Sequence, residues 1–368
     1  MRVPVRVVKF VIAFLTAFII CSSQHDWPLC TSVYGSVFIC RIRSMSVPYR
    51  KPHLIFDEQI ALLKSRGMTI SDEGKAKDYL QRIGYYRLSG YWYPFRQTEV
   101  RKQPDGTISH IVVDQFRAHT EFKSAVDLYV FDKKLRLMFL DALERIEIGL
   151  RVDVASCLGR LDPFAYRNPN LLHGNFTKKI NRNTGSTDHS EWLARFDRLA
   201  AYSKEEFILH YKQTYNSPLP IWIAIELWDF GMLSKFLSGM RHDDLAAIAL
   251  RYGIPRPELL TSWMRSMNLV RNVCAHHARL WNRSLTDRPK LPKAGEVPLL
   301  NPLVGDQFAN YRLYGVAAVM RYVLRTINPT TAWADRLKEH LATFPSAAGI
   351  NVQQTGFPSG WGNLPLWN

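Results

Sequence analysis

The sequence predicts a mainly α-helical (all-α) protein with a small β-hairpin insertion near residues 98–113. Two observations predict this fold class. Apolar residues recur at helical spacing, and long stretches lack the Gly and Pro residues that break helices. One segment departs from this pattern, because the turn sequence Pro104-Asp105-Gly106 separates two extended segments, Thr98–Lys102 and Thr107–Val113. Such a turn between two short extended segments is typical of a hairpin.

Composition narrows the possible partners of the chain. Of its 368 residues, 47% are hydrophobic and 22% are charged, which is typical of globular proteins and excludes a disordered chain. The net charge of +16 favours a polyanionic partner, either nucleic acid or an acidic membrane surface. Five cysteines are too few for a disulfide scaffold in a chain of this length.

The first 44 residues differ from the remainder and are expected to lie outside the fold. Basic residues precede an apolar run, Phe10–Cys21, in the arrangement of a signal peptide, but the run is shorter than the roughly 20 residues of a membrane span. Alternatively, translation starts at Met45, where globular patterning begins at once. We favour this second interpretation, with residues 45–368 as one helical, cytoplasmic domain that lacks a membrane segment. An anchor at Phe10–Cys21 is the competing hypothesis.

The N-terminal elements are predicted from their start and stop signals. A helix is expected at Phe56–Arg66, followed by a second helix that Ser71 caps and Gly84 ends. The segment Tyr85–Phe95 contains six aromatic residues in eleven. These rings either fill the core or stack on nucleobases.

A long segment from Glu121 to Gly159 lacks Pro and is predicted to be helical, either as one rod or as two helices that meet near Phe131–Lys134. Glu144, Glu147 and Arg151 lie on one face of it at helical spacing. These three residues either form weak pairs within the helix or support a basic site on a neighbouring helix.

The second half of the chain is predicted to consist of helices joined by loops. A long loop is expected at Asp162–Ser190, and a capping-box pattern at Ser203 predicts the start of a helix. An extended C-terminal tail is expected to be pinned by Trp361 and Trp367. Further helices are predicted at Glu191–Leu199, Ile221–Met240, Asp243–Tyr252, Phe308–Asn328 and Trp333–Phe344, and one that starts near Pro257 carries the segment described next.

The stretch Leu269–Arg283, LVRNVCAHHARLWNR, contains no Gly or Pro and is predicted to be one continuous helix. On such a helix Asn272, His276, Arg279 and Arg283 would share one face. This stripe of basic and titratable groups suggests an anion-binding site, although it could also be an ordinary solvated face.

Two further residues belong to this stretch. Arg271 flanks the stripe, and His277 follows His276 directly. Adjacent residues on a helix cannot both point at one metal ion, so a zinc site is not expected, and the sequence predicts no other metal or cofactor.

Four sequence blocks together resemble one family: YYRLSGYWYPF, LPIWIAIELWDFGMLSKFLSGM, RNVCAHHARLWNR and GFPSGWGNLPLW. In this order they are similar to the Abi family of abortive-infection proteins (the AbiD/AbiF type), over about Pro52–Asn368. That family resembles the HEPN superfamily of helical bundles, many of which are metal-independent endoribonucleases. The resemblance implies phage defence, and a HEPN-type motif at residues 271–276.

The resemblance assigns Arg271, Asn272 and His276 as the catalytic group. It also implies a homodimer, in which two copies of the motif line one cleft, and it leaves room for an antitoxin or a phage-derived trigger.

RNA supplies its own nucleophile, the 2′-OH, so the protein need only move protons and stabilise charge. Histidine side chains ordinarily titrate near pH 6.5 and can move protons, which contributes about 10²–10⁴-fold in rate. Arginine side chains can stabilise the negative charge. Arg279, Arg283 and His277 would bind flanking phosphates, and the products would carry 2′,3′-cyclic phosphates. The alternative is a non-catalytic RNA-binding or partner-binding module.

Overall fold

A computed structural model describes residues 50–103, 106–215 and 217–368, and residues 53–368 form one compact unit. The predictions for residues 1–44 and for a start at Met45 lie outside the described residues. The first helices are α1 (Phe56–Ser65), α2 (Glu73–Ile83), α3 (Tyr85–Trp92), α4 (Phe122–Gly159), α5 (Gly174–Thr177), α6 (Asp188–Tyr202) and α7 (Glu206–Thr214). They are followed by α8 (Ile221–Ala224), α9 (Phe230–Leu237), α10 (His242–Arg251), α11 (Pro257–Ala275), α12 (Gln307–Tyr311), α13 (Leu313–Ile327) and α14 (Trp333–Ala342).

The predicted fold class is confirmed, because helices dominate and the described strands form a single hairpin. Strand β1 (Arg96–Lys102) pairs antiparallel with β2 (Ile108–Phe116), and Val100 lies opposite His110 in the register. The hairpin is longer than predicted, since its second strand continues to Phe116, shortly before α4.

Helix α4 is one uninterrupted rod of 38 residues, so the two-helix alternative is wrong. Its apolar seam repeats at intervals of seven and four residues, and each side chain of that seam is fully buried. At roughly 1.5–3 kcal/mol per buried side chain, this seam outweighs any local tendency to break. The seam residues are Leu128, Leu135, Phe139, Ile146 and Leu150. Helices that pack against α4 include α3, α8, α9, α10, α11, α13 and α14.

The close approach of α13 to α4 explains the one interior glycine of α4. A Cβ atom on Gly149 would lie 2.9 Å from the terminal methyl group of Ile327 on α13. The absence of a side chain therefore lets the two helices touch without shifting either backbone.

Several predicted helix starts are displaced by a few residues. Asp72, and not Ser71, caps α2, since its carboxylate accepts the amide of Lys75 at 2.9 Å. Thr187 caps α6, which therefore begins before the predicted Glu191. The capping box predicted at Ser203 is wrong, because α7 begins at Glu206.

Two helices predicted as continuous are broken. The segment Ile221–Met240 is interrupted at Trp228–Asp229, because Asp229 turns out of the helix and its carboxylate accepts the amide of Met232 at 2.8 Å. A local cap thus starts α9 anew. The segment Phe308–Asn328 is interrupted at Arg312, whose backbone is extended between α12 and α13.

Half of the six aromatic residues in Tyr85–Phe95 fill the core, since Tyr91, Trp92 and Phe95 are buried. Tyr86 is the contrast, with 85% of its surface exposed. The C-terminal tail forms short 3₁₀ turns and not the extended segment predicted, but Trp367 does pin it in the core, 4.6 Å from the ring centre of Trp361. Within the described ranges, no helix has the length and apolarity needed to cross a membrane.

Candidate functional site

The motif helix α11 is shorter than predicted, because it ends at Ala275. His276 is its C-cap residue, and the His276 amide donates to the carbonyl of Asn272 at 2.9 Å. His277 then takes a left-handed conformation, with φ of 56°, which few residues other than glycine adopt. The prediction of one continuous helix over Leu269–Arg283 is therefore wrong.

The early end of α11 has a tertiary cause in the buried carboxylate of Asp132 on α4. It accepts the backbone amides of Leu280 (3.1 and 3.2 Å) and Trp281 (2.8 Å). The hydroxyl of Tyr91 also donates to it at 2.7 Å, and Arg136 forms an ion pair with it. Amides bound in this way cannot also donate within a helix, so the chain turns away from the axis of α11.

The segment after His276 is also held by α3. The guanidinium group of Arg87 donates to the carbonyl of His277 at 2.8 Å, and that of Arg279 donates to the carbonyl of Gly90. Burial lowers the pKa of the Arg279 guanidinium group, which is half-buried. Arg136 adds a longer bond to the carbonyl of Ala278, 3.4 Å. The predicted shared face therefore does not exist beyond His276, because Arg279 and Arg283 follow the turn and not the helix.

Other polar side chains of the motif have few bonds to the fold. Arg271 donates to the side-chain oxygen of Asn272 at 3.3 Å, and it has no ion pair within 4.0 Å in the part of the chain that the structure describes. Among the same residues, the rings of His276 and His277 and the guanidinium group of Arg283 form no hydrogen bond, and all three side chains are exposed. Arg271 and Asn272 are half-buried. These donors are available to a ligand.

An acidic residue of α4 lies beside this group. Burial raises the pKa of the Glu147 carboxyl, and the positive charges of Arg151 and Arg271 oppose that rise. Arg151 binds Glu147 at 2.6 Å and also donates to the carbonyl of Trp228. Glu147 and Arg151 thus lie next to the motif, whereas Glu144 is exposed and forms no ion pair with any described residue.

Asn268 belongs to the same surroundings and was missed from the sequence. It lies one turn before Arg271 and Asn272, near the backbone of Gly231 at the start of α9. Its side-chain oxygen is buried and has no hydrogen-bond partner among the residues that the structure describes. A polar stripe on α11 could have included it, but only the packing of α9 makes it part of the site.

The structure thus brings together Arg271, Asn272 and His276 at the C-terminal end of α11, with Glu147 and Arg151 of α4 beside Arg271. Asp132, Tyr91 and Arg136, which shape the following turn, were not predicted. Their one sequence signal is a charged pair at i and i+4, Asp132 and Arg136, within the apolar seam of α4. Across the described ranges, no group of three or more His, Cys, Asp or Glu residues is arranged to hold a metal ion.

Comparison with known protein families gives a match. The family model for Abi-like proteins matches residues 78–282, which run from α2 through the turn after α11. No curated protein and no solved structure matches the chain.

Proposed function

Since the chain belongs to the Abi-like protein family, we propose that it serves in abortive infection against phage as a metal-independent endoribonuclease of the HEPN type. The observation that carries this proposal is the state of the motif side chains. Arg271 and His276 lie at one helix end with almost no bonds to the fold, whereas Arg136, Arg151 and Arg279 nearby are engaged. Arg and His side chains at one helix end with few bonds to the fold are suited to a phosphodiester.

The chemistry is transesterification within the RNA. The 2′-oxygen attacks the adjacent phosphorus and loses its proton to a base, while the bond from phosphorus to the 5′-oxygen breaks and that oxygen receives a proton from an acid. His276 moves one of these protons, worth about 10²–10⁴-fold in rate. Arg271 stabilises the negative charge that gathers on the phosphoryl oxygens. Asn272 orients the Arg271 guanidinium group, whose hydrogen bond its side-chain oxygen accepts at 3.3 Å.

A single copy supplies one histidine of the motif, whereas the reaction needs a base and an acid together. We therefore propose a homodimer in which His276 of each copy takes one of the two roles. An antitoxin or a phage-derived trigger could control such a pair by separating or joining the copies.

The binding of flanking phosphates is assigned to Arg283 and His277, which are exposed next to His276. Each phosphate contact should add about 0.7 to the slope of log affinity against log salt for single-stranded RNA. Arg279, which the sequence also predicts to bind RNA, is not assigned this role, because its guanidinium group already donates to the carbonyl of Gly90.

The test uses a chain that starts at Met45, incubated with end-labelled RNA in EDTA. Arg271→Ala and His276→Ala should each abolish cleavage, and the wild-type products should end in 2′,3′-cyclic phosphates. His210→Ala is the matched control, since His210 is an exposed histidine on α7 outside the motif. Products with 3′-hydroxyl and 5′-phosphate ends, or equal activity in wild type and His276→Ala, would overturn the proposal.

A second candidate function is non-catalytic binding of RNA or a partner. The exposed ring of Tyr86 favours it, because the next residue, Arg87, donates to the carbonyl of His277 in the motif turn. An exposed aromatic ring beside cations can stack on a base. Salt-dependent RNA binding by a wild-type chain that cleaves nothing would support this function, and Tyr86→Ala should then weaken binding.

A further inference from the structure

Asp132 is placed unusually for a charged residue. Its side chain is fully buried in the N-terminal third of α4, where an apolar residue would continue the seam at no desolvation cost. Instead its two oxygens accept from Tyr91 on α3 and from the backbone amides of Leu280 and Trp281, and Arg136 balances its charge. Half of these donors belong to the backbone that directly follows the candidate site.

The turn between His276 and Trp281 depends on such outside support. His277 has the left-handed backbone conformation that is costly for a residue with a side chain, and such conformations persist only where the surroundings hold them. Asp132 anchors the far end of the turn, four and five residues after His276. The helical bond from the His276 amide to Asn272 fixes the near end.

We infer that Asp132 is the positioning residue of His276: by fixing the turn that follows, it sets where the His276 ring stands relative to Arg271. The inference rests on the proposed function for the role of His276 itself. Asp132 contacts no reacting group, so its loss should lower the rate of the chemical step by a larger factor than it lowers RNA affinity, to which His277 and Arg283 on either side of the anchored amides contribute.

Asp153 provides a matched control on the same helix. It is also a buried carboxylate, and it too binds one tyrosine and one arginine, Tyr252 and Arg251, but it holds no part of the motif turn. Comparing Asp132→Asn with Asp153→Asn in the chain from Met45 therefore separates the effect on the turn from the general cost of disturbing a buried carboxylate.

Two measurements decide the question. Asp132→Asn should speed amide hydrogen exchange at Leu280 and Trp281. It should also lower kcat for RNA cleavage by roughly 10²-fold, with a much smaller change in KM. Asp153→Asn should leave the exchange rates at Leu280 and Trp281 and the kcat at wild-type values, even if it lowers the unfolding midpoint as much as Asp132→Asn does. Equal effects of the two substitutions on kcat, or wild-type exchange at Leu280 and Trp281 in Asp132→Asn, would overturn the inference.

If Asp132→Asn does not fold, Tyr91→Phe is the second variant, because it removes one donor from the same carboxylate and keeps the ring in the core. Tyr91→Phe should speed amide hydrogen exchange at Leu280 by a smaller factor. Wild-type exchange at Leu280 in this variant would count against the inference. A folded wild type that cleaves no RNA refutes the proposed function alone. In that case the exchange comparison still determines whether Asp132 holds the turn.

Discussion

Replacing Arg279 with Gln should lower the stability of the protein, whereas the same change at Arg271 should affect only its action on RNA. The Arg279 guanidinium group is half-buried and donates to the carbonyl of Gly90 on α3. A hydrogen bond from a charged group contributes about 1.5–3 kcal/mol, and Arg279→Gln should cost that amount. Arg271 makes one 3.3 Å bond to Asn272, so Arg271→Gln should change the free energy of unfolding by no more than about 0.5 kcal/mol.

For RNA cleavage, the substitution of Arg271 should have the large effect and that of Arg279 the small one. Loss of Arg271 removes the donor aimed at the developing phosphoryl charge, and the cleavage rate should fall by about 10²–10³-fold. Glu147 keeps Arg151 as its partner in that variant, so the surrounding fold should be retained. Folded Arg279→Gln protein should cleave RNA at close to the wild-type rate.

Urea unfolding and RNA titrations over a range of salt concentrations, with all three proteins side by side, test these expectations. The reasoning is refuted if Arg279→Gln unfolds at the wild-type urea concentration and loses about 0.7 from the salt slope, which is the value of one phosphate contact. Arg279 would then bind RNA, as the sequence predicted, and its bond to Gly90 would be dispensable.

Three further results are expected. Burial raises the pKa of Cys274 to about 12 and also raises the pKa of Cys157. A thiol reagent at pH 8 should therefore label the chain from Met45 only after denaturation. Rapid labelling of the native protein would contradict the burial of these two thiols. Burial lowers the pKa of His189 in the folded protein. As the pH falls, His189 is therefore protonated in the unfolded chain at a higher pH than in the folded protein. Its stabilising contribution is therefore present above about pH 6.5 and is lost toward the lower folded pKa. His189→Gln should flatten the fall in the urea midpoint between pH 7 and pH 5, and an unchanged slope would count against this account. A Cβ atom on Gly239 would collide with the ring of Phe176, so Gly239→Ala should destabilise the protein by about 1–3 kcal/mol, and wild-type unfolding would show that the ring can move aside.

Elements with a strong periodic pattern or a clear turn signal were predicted well from the sequence. The Pro104-Asp105-Gly106 turn predicted the hairpin, because a turn signal is local. The absence of Pro from Glu121 to Gly159 predicted a helical segment there, although the sequence left open whether it was one helix or two. Helix starts were less reliable, as Ser71 and Ser203 show. Several nearby polar residues can cap a helix, and packing selects among them.

The breaks at Trp228–Asp229 and Arg312 could not be predicted from periodicity, because both segments keep an apolar pattern across the break. In the first, the carboxylate of Asp229 satisfies the start of α9 and also forms an ion pair with Arg195 on α6. A partner from another helix thus stabilises a break that the local sequence leaves open.

The candidate site divides in the same way. The sequence by itself determined that Arg271 and Asn272 lie within one amphipathic helix and that His276 follows Asn272 by about one turn, because their spacing and the absence of Gly and Pro require nothing from the rest of the chain. Only the tertiary structure decided where that helix ends. The amides after His276 bind the carboxylate of Asp132, about 150 residues earlier in the chain, and a hydrogen bond between such distant residues outweighs the local helical propensity of the segment Ala278–Arg283.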